Sequence, residues 1–127
     1  KALDEGQGVL EVWGTGRPTR DFLYVKDAVQ GILLATEQYD KAEPVNIASG
    51  WEISIRELTA LIARLMDFQG KITFNTSKPD GQMRRVLDTS RAEREFGFRA
   101  TTDFETGLRE TIDWYRTLIA RTKAKKL

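Results

Sequence analysis

Three groups of residues could do chemistry in this chain. The first, Gly14-Thr15-Gly16, opens like the G-x-G-x-x-G loop that cradles a pyrophosphate at a helix N-terminus. Its third position is Thr19, and a β-like run follows instead of a helix, so the segment reads as a turn joining two strands. The second group is Trp13, Arg17, Arg20 and Asp21. A guanidinium ahead of an apolar strand can hold a phosphate through paired charge-assisted hydrogen bonds, and an indole offers a flat face to a base or sugar. A solvated turn beside a core tryptophan accounts for the same residues, and composition alone favours it. The third group runs from Lys78 to Asp88, where Lys78, Arg84 and Arg85 lie on a segment shaped by Pro79 and Gly81. An anion site and a surface turn with an Arg85–Asp88 ion pair fit that spacing equally well.

Other chemistry is excluded by what is missing. The sequence contains neither Cys nor His, which rules out disulfides, thiolate or imidazole metal sites and the Ser-His-Asp triad. No metal is expected. The tyrosines are Tyr24, Tyr39 and Tyr115, and the positions four residues on hold Ala28, Glu43 and Ile119, not Lys. The aspartates Asp27, Asp67, Asp80, Asp88 and Asp103 are scattered at helix starts and turns, where capping explains them. Lys and Arg number 20 against 19 Asp and Glu, too even a balance for a dedicated nucleic-acid binder. The 127 residues, 40% hydrophobic and 31% charged, have a globular composition of one domain, 1–127. No stretch approaches the roughly 20 apolar residues of a membrane span, and KALDEGQGVL is no signal peptide, so a cytoplasmic location is expected. The first residue is Lys1 and not Met, which leaves room for a processed or excised segment.

The elements that must position these groups alternate strands with amphipathic helices, an α/β pattern. Apolar runs predict strands over Val9–Trp13, Phe22–Val25, Val45–Ala48 and Lys71–Phe74. A helix is expected from about Lys26 to Gln38. Ser54 and Glu57 have capping-box spacing, with Ile53 and Leu58 as the hydrophobic staple and Leu58, Leu61, Ile62 and Leu65 as a buried stripe. A short helix over Ser90–Phe96 should end at a left-handed Gly97, with Asp88 as its N-cap. Thr102 and Glu105 repeat the capping-box spacing before a last helix whose face is Phe104, Leu108, Ile112, Tyr115 and Ile119, with a basic tail from Arg121 to Lys126.

Taken in order, Trp13-Gly-Thr-Gly-Arg-Pro-Thr-Arg20-Asp-Phe-Leu-Tyr-Val-Lys-Asp27, Val45-Asn-Ile-Ala-Ser-Gly50, Ser54-Ile-Arg-Glu-Leu58, Ser77-Lys-Pro-Asp-Gly81 and Arg85-Val-Leu-Asp88 resemble the C-terminal part of the extended short-chain dehydrogenase/reductases, a family of nucleotide-sugar epimerases and dehydratases. The likeness runs from about Val9 to Tyr115. Its narrower segments resemble the branch that epimerises and reduces GDP-4-keto-6-deoxymannose. The resemblance implies the substrate-binding portion of a Rossmann-type α/β enzyme that takes a nucleotide-diphosphate sugar, GDP-linked in that branch. It implies substrate-binding roles for Trp13, Arg20 and Arg85, with Lys71 as a weaker candidate, and a structural role for Asp88. The family's cofactor loop, its Tyr-x-x-x-Lys pair and the branch's Cys and His match nothing here. The resemblance therefore implies NADP or NAD bound by an N-terminal domain absent from these residues, a homodimeric complete enzyme, and no membrane or nucleic-acid partner. The 127 residues alone are expected to be inactive and not to bind NADP tightly. The readings left open are another nucleotide-sugar 4-epimerase or 4,6-dehydratase, and a non-catalytic nucleotide-sugar-binding module. The Lys26–Gln38 helix and the Val45–Ala48 segment resemble pieces that pack on the cofactor domain. Exposure of Val29, Ile32 and Leu33 should then leave the isolated segment marginal or oligomeric.

Overall fold

A computed structural model describes residue 6 and residues 8–124. The chain is mixed α/β. Strand β1 (Val9–Trp13) pairs in parallel with β4 (Lys71–Asn75), Val9 opposite Lys71 and Trp13 opposite Asn75. A second sheet has β2 (Thr19–Asp21) at its centre, antiparallel to β3 (Glu52–Ser54) and parallel to β5 (Arg84–Arg85). The helices are α1 (Val25–Gln38), α2 (Ile55–Leu65), α3 (Ser90–Phe96) and α4 (Phe104–Ala124). Residues 125 and 126 of the expected basic tail lie outside the described residues.

Two expected strands are absent. Phe22–Tyr24 leaves the sheet because β2 has partners only over residues 19–21. Its apolar side chains serve packing instead. Phe22 meets the Phe104 ring at 6.3 Å, and Leu23 packs on the core formed by Ala92, Phe96 and Phe98. The Tyr24 hydroxyl donates to Glu110 on α4. Val45–Ala48 forms no ladder, because no described strand pairs with it. Val45 and Ile47 pack on the same core, and Asn46 Nδ2 donates to the Asp88 carbonyl. The three-residue β3, missed by apolar patterning, follows after Ser49, Gly50 and Trp51.

The capping box of α2 forms as expected. Ser54 Oγ accepts from the Glu57 amide at 3.1 Å, and the Ser54 amide donates to the Glu57 carboxylate at 3.1 Å. Those bonds hold the Glu57 carboxyl below its usual range, the Ser54 hydroxyl contributing most. Ser54→Ala is expected to cost about 1 kcal/mol of folding free energy, read as a shifted urea midpoint with an unchanged slope. The expected α2 stripe is only half-buried, because Leu58 and Ile62 line an open groove.

Helix α3 spans the expected residues and ends at Gly97 with φ 67°. Its N-cap is Thr89, not Asp88; Asp88 Oδ1 instead accepts from the Ser90 amide at 2.9 Å. At the start of α4, Asp103 replaces Thr102 as the cap, accepting from both the amide and hydroxyl of Thr106. The Thr102 hydroxyl is drawn to buried Asp27, which also accepts its amide and so ties α1 to the α4 entrance. Glu105 is held by Arg64 and Arg109 and does not close a box. On α4, Ile112 is buried but Tyr115 is exposed. On α1, Val29, Ile32 and Leu33 are all more than half exposed, the exposure expected from the sequence.

Candidate functional site

Arg20 lies at the centre of β2, and register places Arg85 of β5 directly beside it. Neighbouring strands sit about 4.8 Å apart, and paired residues of adjacent strands share a face. Both arginines line a cavity of about 290 Å³ whose other walls include Leu23, Ile47, Ala48 and Leu87. Arg20 donates to its neighbour's carbonyl, Thr19 O, at 2.7 Å. Neither guanidinium makes an ion pair among the described residues, although Asp21 also lines the cavity. The Asp21 carboxylate is occupied elsewhere, accepting from the Ser49 hydroxyl and amide and from the Gly50 amide. Asp88 faces Ser90, so the Arg85–Asp88 pair does not form. Two adjacent guanidiniums beside apolar walls, without an ion-pair partner among the described residues, present the donors that an anion such as a phosphate would need.

Trp13 is 68% exposed at the end of β1, which overturns the reading of a core tryptophan. Lys78 Nζ lies 5.4 Å from its ring centroid. Trp13 does not line the arginine cavity. Lys71 stands at the opposite end of the β1–β4 ladder from Trp13, about 13 Å away at the rise of an extended strand. The structure therefore joins Arg20 to Arg85, leaves Trp13 on a separate exposed edge, and sets Lys71 apart from it.

The Gly14-Thr15-Gly16 turn is built to hold that edge. Asp80 accepts from the Thr15 amide at 2.5 Å and from its hydroxyl at 2.7 Å. Arg56 donates to the Thr15 carbonyl at 2.6 Å and stacks over Phe74 at 3.8 Å. Gly14 and Gly16 have φ of 81° and 74°, and a Cβ on them would sit 2.2 Å from Asp80 Oδ1 and 2.4 Å from the Phe74 ring. With the Thr15 amide committed and a strand following, the turn does not fit a dinucleotide pyrophosphate. The described residues provide no glycine-rich strand-to-helix turn and no metal-ligating cluster.

Asp80, which the sequence places among the turn and capping aspartates, is the latch of this turn, and the Thr15 hydroxyl does most to depress its pKa. A depressed carboxyl stabilises the fold above its unfolded pKa and loses that contribution as pH falls through the lower folded value. Asp80→Asn is therefore expected to lose part of the wild-type stability rise in the acid range below about pH 4. Denaturation midpoints across that range would read the flattening.

A larger groove, about 1180 Å³, lies between α2 and the start of α4, lined by Phe22, Trp51, Leu58, Ile62, Phe104 and Trp114 among others. Its ionisable groups are already engaged. Lys26 pairs with Glu110, Asp27 accepts from Thr102, and Asp103 caps α4. With three carboxylates and one cation it disfavours a diphosphate, so the smaller arginine cavity is the better candidate for an anion despite its size.

The fold agrees with the comparisons. A family model described as GDP-mannose 4,6 dehydratase matches residues 1–111, and the chain belongs to that family, whose fold is shared with Rossmann-type extended short-chain dehydrogenase/reductases. Within it the chain is similar to GDP-L-fucose synthases. It is 41% identical over 113 residues to one from Sinorhizobium fredii, covering 89% of this chain and 36% of that one. It is 39% identical over 115 residues to GDP-L-fucose synthase 1 of Arabidopsis thaliana, covering 91% and 35%. A crystal structure of a GDP-L-fucose synthetase from Naegleria fowleri bound to NADP superposes with a TM-score of 0.84 at 30% identity, covering 91% of this chain and 36% of that one. The chain thus spans about a third of the length of the relatives it matches.

Proposed function

We propose that this chain supplies the nucleotide-sugar-binding part of an NADP-dependent GDP-4-keto-6-deoxymannose 3,5-epimerase/4-reductase. The observation that carries the reading is the Arg20–Arg85 pair, set side by side on one cavity without an ion-pair partner among the described residues. Each guanidinium can present a fork of donors to the diphosphate of a nucleotide sugar. Exposed Trp13 offers a stacking face, and Lys78 beside it adds positive charge. Lys71 remains a weaker candidate for the same substrate. Binding energy gathered at the nucleotide end, remote from the reacting sugar, would orient the sugar for reaction. No catalytic or cofactor-binding residue is assigned here, and NADP falls to residues outside these 127.

The test is a titration of the isotope-labelled chain followed by amide NMR. GDP-mannose is expected to shift the amides around Arg20, Ile47 and Arg85, and UDP-glucose to bind more weakly. Stronger binding of the uridine sugar would replace this reading with a UDP-sugar 4-epimerase. Absence of binding by either nucleotide, in a chain whose dispersed amide spectrum shows it folded, would remove it.

A further inference from the structure

Strand β5 is only two residues long and holds to β2 through two register positions. So short an edge strand has little of its own to keep Arg85 in place. Side chains alternate across a strand, so Arg20, Ile53 and Arg85 share the cavity face, and Thr19, Glu52 and Arg84 share the other. On that other face, the Glu52 carboxylate of β3 reaches over the central strand. It accepts from the Thr19 hydroxyl of β2 at 2.7 Å, and from Arg84 Nε and Nη2 of β5 at 3.1 and 2.9 Å. One carboxylate thereby ties all three strands. The Arg84 guanidinium, more than Thr19, holds Glu52 ionised to lower pH than usual.

We infer that Glu52 and Arg84 are positioning residues. Their bond, on the face turned away from the cavity, holds β5 in the register that sets Arg85 beside Arg20 for a diphosphate. This inference rests on the reading of the Arg20–Arg85 cavity given above. An exposed ion pair contributes little to stability by itself, so its consequence lies in the affinity of the site and not in the melting temperature.

The test uses the protein expressed from its complete reading frame, with GDP and GDP-mannose as probes, titrated by calorimetry at low salt. Glu52→Gln, which preserves shape, and Arg84→Ala are each expected to weaken both probes about fivefold, close to 1 kcal/mol. The double variant should be no weaker than either single, because both break the same bond. The exchanged pair, Glu52→Arg with Arg84→Glu, should recover most of the loss. In an Arg85→Ala background, Glu52→Gln should have no further effect, whereas a merely structural role would persist there. The inference is overturned if Glu52→Gln binds as tightly as wild type. It is also overturned if only Arg84→Ala weakens binding, since Arg84 would then be a ligand itself. Those outcomes leave the cavity reading standing when Arg20→Ala and Arg85→Ala still bind poorly. If those two variants bind normally, the cavity reading fails, and this inference with it.

Discussion

Replacing Arg20 or Arg85 by Ala is expected to weaken binding of GDP-mannose by roughly tenfold to a hundredfold, which corresponds to losing one set of charge-assisted hydrogen bonds worth about 1.5–3 kcal/mol. The two side chains stand in register on adjacent strands and neither is neutralised by a carboxylate among the described residues. Like charges set directly opposite on a sheet oppose folding. The unliganded variants should therefore melt no lower than wild type, and a bound anion should stabilise wild type more than either variant. Arg20→Lys keeps the charge but loses the planar fork, so it should recover only part of the affinity. Calorimetric titrations at two salt concentrations would check this, because the wild-type affinity should fall with salt more steeply than that of either variant. Unchanged affinity in both alanine variants would remove the anion site from this cavity.

Phe98→Ala is expected to be the most damaging single change to the fold. Phe98 is 1% exposed and sits with Ala92 and Phe96 at the centre of the core, covered by Leu34, Ala35 and Tyr39 among others. Truncating a fully buried phenylalanine costs about 3–5 kcal/mol through lost transfer energy and the cavity left behind. That is a large share of the roughly 5–15 kcal/mol that holds a whole domain folded. The damage should reach the site, because Leu23 and Ile47 pack on this core and also line the arginine cavity. Urea denaturation would measure the loss, and a midpoint within error of wild type would contradict this account of the core.

Legibility in the sequence followed the range of the interaction. The α2 capping box and the Gly97 terminus depend on residues within a few positions of one another, and both formed as read. Helix α1 began within one residue of expectation. The errors were of longer range. Phe22–Val25 and Val45–Ala48 are apolar enough for strands, but a strand exists only where a neighbour takes its hydrogen bonds, and none of the described strands does so there. Thr102 had the spacing of a cap, yet Asp27, far away in sequence, claimed its hydroxyl. The α2 stripe had helical periodicity, which identifies a face without saying how completely that face is covered.

By itself the sequence determined the absence of thiol and imidazole chemistry, the local starts and stops of helices, and a set of motifs specific enough to identify the family. These follow from residue type and short spacing, which no packing can alter. Only the tertiary structure decided that Trp13 is exposed and not buried, that Asp80 latches the glycine turn, and that Arg20 and Arg85, separated in the chain by α1, β3, α2 and β4, stand side by side. Parallel pairing of β2 with β5 brings those arginines together, and strand pairing between distant segments is governed by register across the sheet, which no local pattern of residues records.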